Sequence, residues 1–139
     1  KVTLAIDVFV EEEKLEKFDS DPNKTNGEIV MEIAKLSEFK REFCGSERNS
    51  ETAQIKGLPW KIFAEIKKEN DGTENNLGFY LWCTTATEKD ENWSCKCSGT
   101  FRIVSQINGA KDFTRKFNEE KMFTAENFFQ GFDNFITFA

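Results

Sequence analysis

Histidine is absent from all 139 residues, and this absence excludes several classes of enzyme site. Without imidazole, these residues can form no Ser-His or Cys-His nucleophilic site and few of the zinc sites used in catalysis. Carboxylate chemistry stays open, but the acidic residues fall mainly in charged runs such as 11–13 and 88–91, which are typical of a solvated surface. We therefore expect a non-catalytic protein with no cofactor and no metal site.

The chain also lacks a surplus of positive charge and any long apolar run. Lys and Arg number 19 against 25 Asp and Glu, which gives a formal net charge of −6. A duplex-binding surface should be basic, so this balance argues against a nucleic-acid partner. No stretch approaches the ~18 uninterrupted apolar residues of a membrane span, and residues 1–4 do not resemble a signal segment. We therefore expect neither a nucleic-acid nor a membrane partner.

Phenylalanine and period-two alternation are what the sequence has in abundance. Fifteen residues are Phe, and such a density supplies apolar area for a sandwich core or for an aromatic groove. Apolar residues alternate with polar ones in several segments, which is the pattern of half-buried strands. These segments are 2–10, 28–36, 60–66, 77–83 and 93–105. Strands about every 10–12 residues, with turns between them, predict an all-β antiparallel sandwich.

Local signals refine this prediction in three places. Asn108-Gly109 is the strongest hairpin signal in the chain and predicts a returning strand over residues 113–117. Residues 37–43 are expected to form at most one short helical turn. Residues 121–139 mix aromatics with a glycine, so we expect an irregular segment that closes into a short strand at 135–138.

The redox state of the four cysteines bears on the cellular compartment of the protein. They are Cys44, Cys83, Cys95 and Cys97, an even number that permits three full pairings if oxidised. Cys95 and Cys97 lie two apart on one strand, where the geometry for bonding to each other is poor. We therefore expect buried, reduced thiols, no disulfide and a cytoplasmic location. The alternative is a secreted sandwich that binds carbohydrate on exposed Trp and Phe and contains disulfides.

Four motifs in a fixed order carry a resemblance to a known family. They are 57–62 (GLPWKI), 77–83 (LGFYLWC), 101–109 (FRIVSQING) and 129–136 (FQGFDNFI). With them, residues 28–139 resemble a MATH (meprin and TRAF-C homology) domain. The resemblance implies an antiparallel sandwich of seven to eight strands that binds proteins or peptides without catalysis. It also implies substrate recruitment for ubiquitin ligase or deubiquitinase machinery as a role.

The resemblance also implies where the domain begins and ends. The loop residues are similar to those of nematode MATH sets, in which domains occur in tandem or beside a BTB domain. The chain begins with Lys and stops before a final strand, yet residues 1–10 resemble such a strand. We therefore expect residues 1–10 to come from a preceding repeat, 11–26 to form a charged linker, and 27–139 to form a MATH domain lacking its own last strand. Residues 2–10 should pair with 28–36, or else be donated to a neighbouring molecule.

In peptide-binding relatives, an extended ligand lies along one sheet edge, and aromatic pockets take its alternate side chains. Adjacent Phe128 and Phe129 point to opposite faces of an extended backbone, so one of them is expected to be exposed. Few of the aromatic residues that line this groove in relatives are present in this chain. The alternative to peptide binding is therefore a structural repeat whose partners are neighbouring MATH repeats and whose groove is vestigial. Trp60, Trp82 and Trp93 are expected to pack in the core or at its rim. The candidate groove residues are Asn76, Gly99, Met122, Phe128, Phe129, Gln130 and Phe132.

Overall fold

A computed structural model describes residues 2–14, 26–33, 47–55, 58–69, 74–84, 94–104, 111–124 and 126–138. Within these ranges, the chain forms two antiparallel sheets that pack face to face, so the predicted all-β sandwich is confirmed. The predicted helical turn at 37–43, the Asn108-Gly109 turn, Trp93 and Cys44 lie outside the described residues. The strands are β1 (Val2–Lys14), β2 (Asn26–Ile33), β3 (Glu47–Asn49), β4 (Ala53–Ile55), β5 (Leu58–Glu69), β6 (Glu74–Cys83), β7 (Ser94–Val104), β8 (Phe113–Lys116), β9 (Lys121–Thr124) and β10 (Phe129–Phe138).

Each sheet contains four strand positions. The first, called the β1 sheet, has the order β2-β1-β7-β8, and β9 also pairs with β7. The second, called the β6 sheet, has the order β10-β6-β5-β3, and β4 also pairs with β5. The short strands β8 and β9 share one neighbour, as do β3 and β4. The ten strands described therefore fill eight positions, in agreement with the seven to eight predicted.

The first strand lies in the middle of its sheet. It pairs with β2 from Val2 opposite Ile33 to Phe9 opposite Asn26, and with β7 along its other side. This is the pairing of residues 2–10 with 28–36 that the family resemblance implied, here within one chain. The origin of the strand in a preceding repeat, and the domain boundaries, stay predictions.

The expected end of the first strand at residue 10 is wrong. β1 continues to Lys14, so residues 11–14 of the expected linker belong to the sheet. The register shifts by a bulge after Val10, and pairing with β7 then resumes as far as Ser94. Backbone pairing needs no apolar side chains, so the charge of residues 11–14 does not prevent β1 from continuing beside β7.

The core consists of the inward faces of both sheets. β6 pairs with β10 on one side and β5 on the other, which confirms that it is a central strand. The predicted inward residues of β5 and β6 are at most 1% exposed, as are three of the four cysteines. Burial raises the pKa of the Cys97 thiol, which therefore stays protonated at neutral pH. The inward residues and cysteines that are at most 1% exposed are Trp60, Ile62, Ala64, Ile66, Leu77, Phe79, Leu81, Cys83, Cys95 and Cys97.

The predicted irregular segment at 121–139 is wrong in part. It contains β9 and a ten-residue strand, β10, which pairs with β6 along most of its length. The register of β10 shifts between Phe132 and Ile136. This shift lets Phe132 and Phe135, three positions apart, both pack against the ring of Phe101. A bulge breaks period-two alternation, and this is why the sequence pattern concealed the strand.

Candidate functional site

The structure does not bring the seven predicted groove residues into one groove. Met122 and Gln130 are joined by a hydrogen bond, and Phe132 and Gly99 both lie beside the ring of Phe117. Phe128 and Phe129 lie with Trp82. Asn76 is apart from both groups.

At one side of the sandwich, β9 of the β1 sheet lies close to β10 of the β6 sheet. We call this side, formed by Arg115, Phe117, Met122, Gln130 and Phe132, the β9–β10 edge. The Nε2 atom of Gln130 donates a hydrogen bond to the backbone carbonyl of Met122 over 2.7 Å. The side chain of Met122 is 48% exposed. A backbone acceptor of β9 is thus occupied by a side-chain amide and not by another strand.

Two stacked rings fill the interior of this edge. The rings of Phe117 and Phe132 lie 6.2 Å apart with 25° between their planes. A Cβ atom on Gly99 would lie 3.2 Å from the Phe117 ring, so Phe117 takes the volume that a side chain at position 99 would need. The guanidinium of Arg115 lies 4.4 Å from the centroid of Phe132 and donates to the carbonyl of Asn134 over 2.7 Å. Phe132 is therefore packed from inside and partly covered from outside.

Asn76 lies at the far end of β6 and is not exposed. It is in register with Thr137, whereas Phe129 is in register with Trp82. Asn76 and Trp82 are six positions apart, which corresponds to about 20 Å of strand. Asn76 is fully buried, and its amide has no hydrogen-bond partner among the residues that the structure describes. The structure therefore places it inside the protein and not in an accessible groove.

Phe128 and Phe129 differ in exposure, as expected. The prediction that they point to opposite faces is wrong, because Phe128 precedes β10 and its ring lies 5.4 Å from that of Phe129 beside the same cavity. Phe129 is 49% exposed, and its ring packs against Phe63 and Tyr80 on the outer face of the β6 sheet. Phe128 is half-buried, and its ring lies 6.3 Å from that of Trp82. A cavity of about 180 Å³, called the aromatic pocket, opens between these rings. It is lined by Glu47, Phe63, Trp82, Phe128 and Phe129.

Two charged side chains flank the aromatic pocket. The Nζ atom of Lys61 lies 4.0 Å from the centroid of the Trp82 ring, at cation–π distance. Glu47 is exposed on β3, and its carboxylate forms no ion pair with the residues that the structure describes. Sequence reasoning assigned Trp82 to packing and did not identify Phe63 or Glu47. The signal in the sequence that could have pointed to this pocket was the presence of apolar residues on both faces of β6.

A charged network lies beside the pocket on the same outer face. The hydroxyl of Tyr80 donates to Oδ1 of Asp133 over 2.6 Å, and Nζ of Lys67 donates to the same oxygen over 3.1 Å. The close packing of β10 on β6 depends on Gly131, where a Cβ atom would overlap the carbonyl oxygen of Phe79. The hydrogen bond from Tyr80, followed by that from Lys67, lowers the pKa of the Asp133 carboxyl.

This network predicts a small, pH-dependent contribution to stability. A lowered carboxyl pKa stabilises the fold at pH values above the ordinary Asp pKa of ~3.9, and the gain is lost as the pH falls through the lower folded-state value. The side chain of Asp133 is 75% exposed, so solvent screening limits the effect to about 0.5 kcal/mol. Denaturant unfolding of wild type and Asp133→Asn should differ by this amount at pH 6 and converge near pH 2. Tyr80→Phe, which removes the donor, should show the same convergence; a difference that is unchanged at pH 2 would contradict the assignment.

Comparison with known proteins identifies one family. A family model described as the MATH domain matches residues 28–139. No curated protein matches the chain. In the described ranges, no helix has the length and apolar character to cross a membrane. No group of three His, Cys, Asp or Glu residues among them is placed to hold a metal ion.

Proposed function

Since the chain belongs to the MATH domain family, we propose that it binds an extended segment of a partner protein along the β9–β10 edge. MATH domains are generally protein–protein interaction modules and are typically non-catalytic. The observation that carries the proposal is the bond from Gln130 to the carbonyl of Met122. A strand at a sheet margin is a template for strand addition, and an incoming backbone N–H can replace a side-chain amide at this carbonyl. The exposed side chain of Met122 provides an adaptable apolar contact beside it.

Two substitutions at the edge have opposite expected effects on peptides selected from a random library against the wild type. Met122→Asp places a charge in the apolar contact and is expected to weaken binding about 10-fold. Gln130→Ala frees the carbonyl of Met122 and is expected to strengthen binding about 3-fold. Fluorescence polarisation of labelled peptides measures both effects. Phe9→Asp, on a residue 42% exposed on β1, is the matched control and should leave binding unchanged. Equal affinity for wild type and Met122→Asp would reject this site.

A second candidate function is that of a structural repeat in a tandem MATH array. It is favoured by the side chains that occupy the edge: Gln130 bonds the carbonyl of Met122, and Arg115 bonds that of Asn134. Because side chains of the protein already bond the backbone carbonyls at this edge, no ligand is needed to bond them. If this function is correct, the library selection returns no peptide that is sensitive to Met122→Asp, and fusion to a neighbouring repeat raises the free energy of unfolding.

We propose, in addition, that the bound segment belongs to a substrate of ubiquitin ligase or deubiquitinase machinery and that the protein is cytoplasmic. The thiol of Cys97 is buried and not in a disulfide, which supports a reducing compartment. Affinity capture from cells with wild type and Met122→Asp tests the role. Ubiquitin-pathway proteins captured equally by both would not be recruited through the edge.

A further inference from the structure

We propose that the aromatic pocket binds an arginine side chain of a basic partner segment, as a second site separate from the β9–β10 edge. The pocket lies on the outer face of the β6 sheet, where β3, β5, β6 and β10 bring together residues far apart in the chain. Its volume of about 180 Å³ is below the ~300 Å³ of the smallest usual small-molecule sites. It therefore suits one side chain and not an intact cofactor.

The arrangement of the rings favours a cation. Phe63 and Trp82 meet at 85° with centroids 6.2 Å apart, and Phe63 meets Phe129 at 58°. Rings at such angles form walls around a pocket and not a single flat layer. Ring faces attract cations, and the indole face does so most strongly. The protein already uses this attraction, because the ammonium of Lys61 lies 4.0 Å from the centroid of Trp82.

Charge complementarity favours arginine over an apolar side chain or lysine. Among the described residues, Glu47 is the only charged one that lines the pocket, and its carboxylate has no ion pair with the others. A guanidinium can stack on a ring while its in-plane N–H groups bond a carboxylate, and it is less strongly hydrated than an ammonium. Arg115 over Phe132, at 4.4 Å, shows guanidinium–ring contact elsewhere in this chain. The net charge of −6 attracts basic segments over longer distances.

The test uses the intact ¹⁵N-labelled chain and three short peptides that differ only in a central arginine, citrulline or norleucine. Citrulline is a nearly isosteric neutral form of arginine, so it separates charge from shape. The arginine peptide should shift the indole N–H signal of Trp82 and the amide signal of Phe129, and it should bind about 5-fold more tightly than the other two. Added salt should weaken its binding. Equal affinity of the citrulline peptide, or no shift with arginine, overturns the proposal.

Matched variants assign the contacts. Phe129→Ala should abolish the arginine-dependent shifts, and Glu47→Gln should weaken binding about 3-fold. Lys61→Gln removes the competing cation and should strengthen binding about 2-fold. Phe9→Ala, of similar exposure on the other sheet, should bind like the wild type. A fourth peptide, with a central lysine, should bind more weakly than the arginine peptide. Equal affinity of these two peptides, or unchanged binding by Phe129→Ala, overturns the assignment. Met122→Asp should leave binding of the arginine peptide unchanged. A failure of the proposal for the aromatic pocket can therefore be distinguished from a failure of the proposal for the β9–β10 edge.

Discussion

Removal of residues 1–14 is expected to abolish the folding of the remaining chain. β1 pairs with both β2 and β7, so its loss leaves β2 without a hydrogen-bonded neighbour among the described strands and uncovers one side of β7. Four of its side chains, at positions 4, 6, 8 and 10, are at most 1% exposed. Burial of each is worth about 1.5–3 kcal/mol, and their sum is comparable with the ~5–15 kcal/mol that stabilises a whole domain. Circular dichroism and the dispersion of amide signals measure the loss.

A peptide of residues 2–14, added in trans, is expected to restore the fold of the truncated chain by strand addition. The control peptide has the same composition but its apolar residues are shifted by one position, which turns them to the outer face of the sheet. Only the native alternation should restore a cooperative unfolding transition. A truncated chain that unfolds cooperatively without any peptide would show that β1 is dispensable.

Alternation predicted the strands that have one buried face. Val8 and Ile29 face the core at the positions that period two assigned to them, as do Ile62 and Leu81. The prediction worked because a one-residue slip would turn every such side chain to water, so the register is under a strong energetic constraint. The prediction failed at residues 11–14, which pair with β7 through backbone groups and not through apolar side chains. It also failed at β10, where a bulge interrupts the period-two alternation.

The candidate site was less accessible to sequence reasoning, because its parts are brought together by strand pairing. Family motifs placed Met122 and Gln130 in one groove, and the two residues do form a hydrogen bond. They placed Asn76 there too, but its position at the other end of β6 follows from the register with β10. Glu47 and Phe129 lie 82 positions apart and meet only because both sheet margins pack onto the β5–β6 pair. No local pattern contains this information.

Phe101→Ala is expected to lower the free energy of unfolding by about 3–5 kcal/mol, the cost of a large cavity in a packed core. Phe101 is fully buried on β7 of the β1 sheet. Its ring lies 5.0 Å from that of Phe79 and 5.1 Å from that of Phe132, both on the β6 sheet. It also lies 5.2 Å from Phe117. One ring thus joins the two sheets and supports both rings behind the β9–β10 edge, and urea unfolding measures its contribution.

Phe113→Ala is the matched control, because Phe113 is 49% exposed and its one ring contact in the described residues is with Phe135. Its loss is expected to cost no more than about 1 kcal/mol. Equal losses in the two variants would show that the sheets are not joined chiefly through Phe101. Phe101→Ala should also loosen Phe132, so peptides that bind the β9–β10 edge should bind this variant more weakly even where it is fully folded. Peptides that bind the aromatic pocket, on the outer face of the other sheet, should be unaffected, and this difference separates loss of support at one edge from general unfolding.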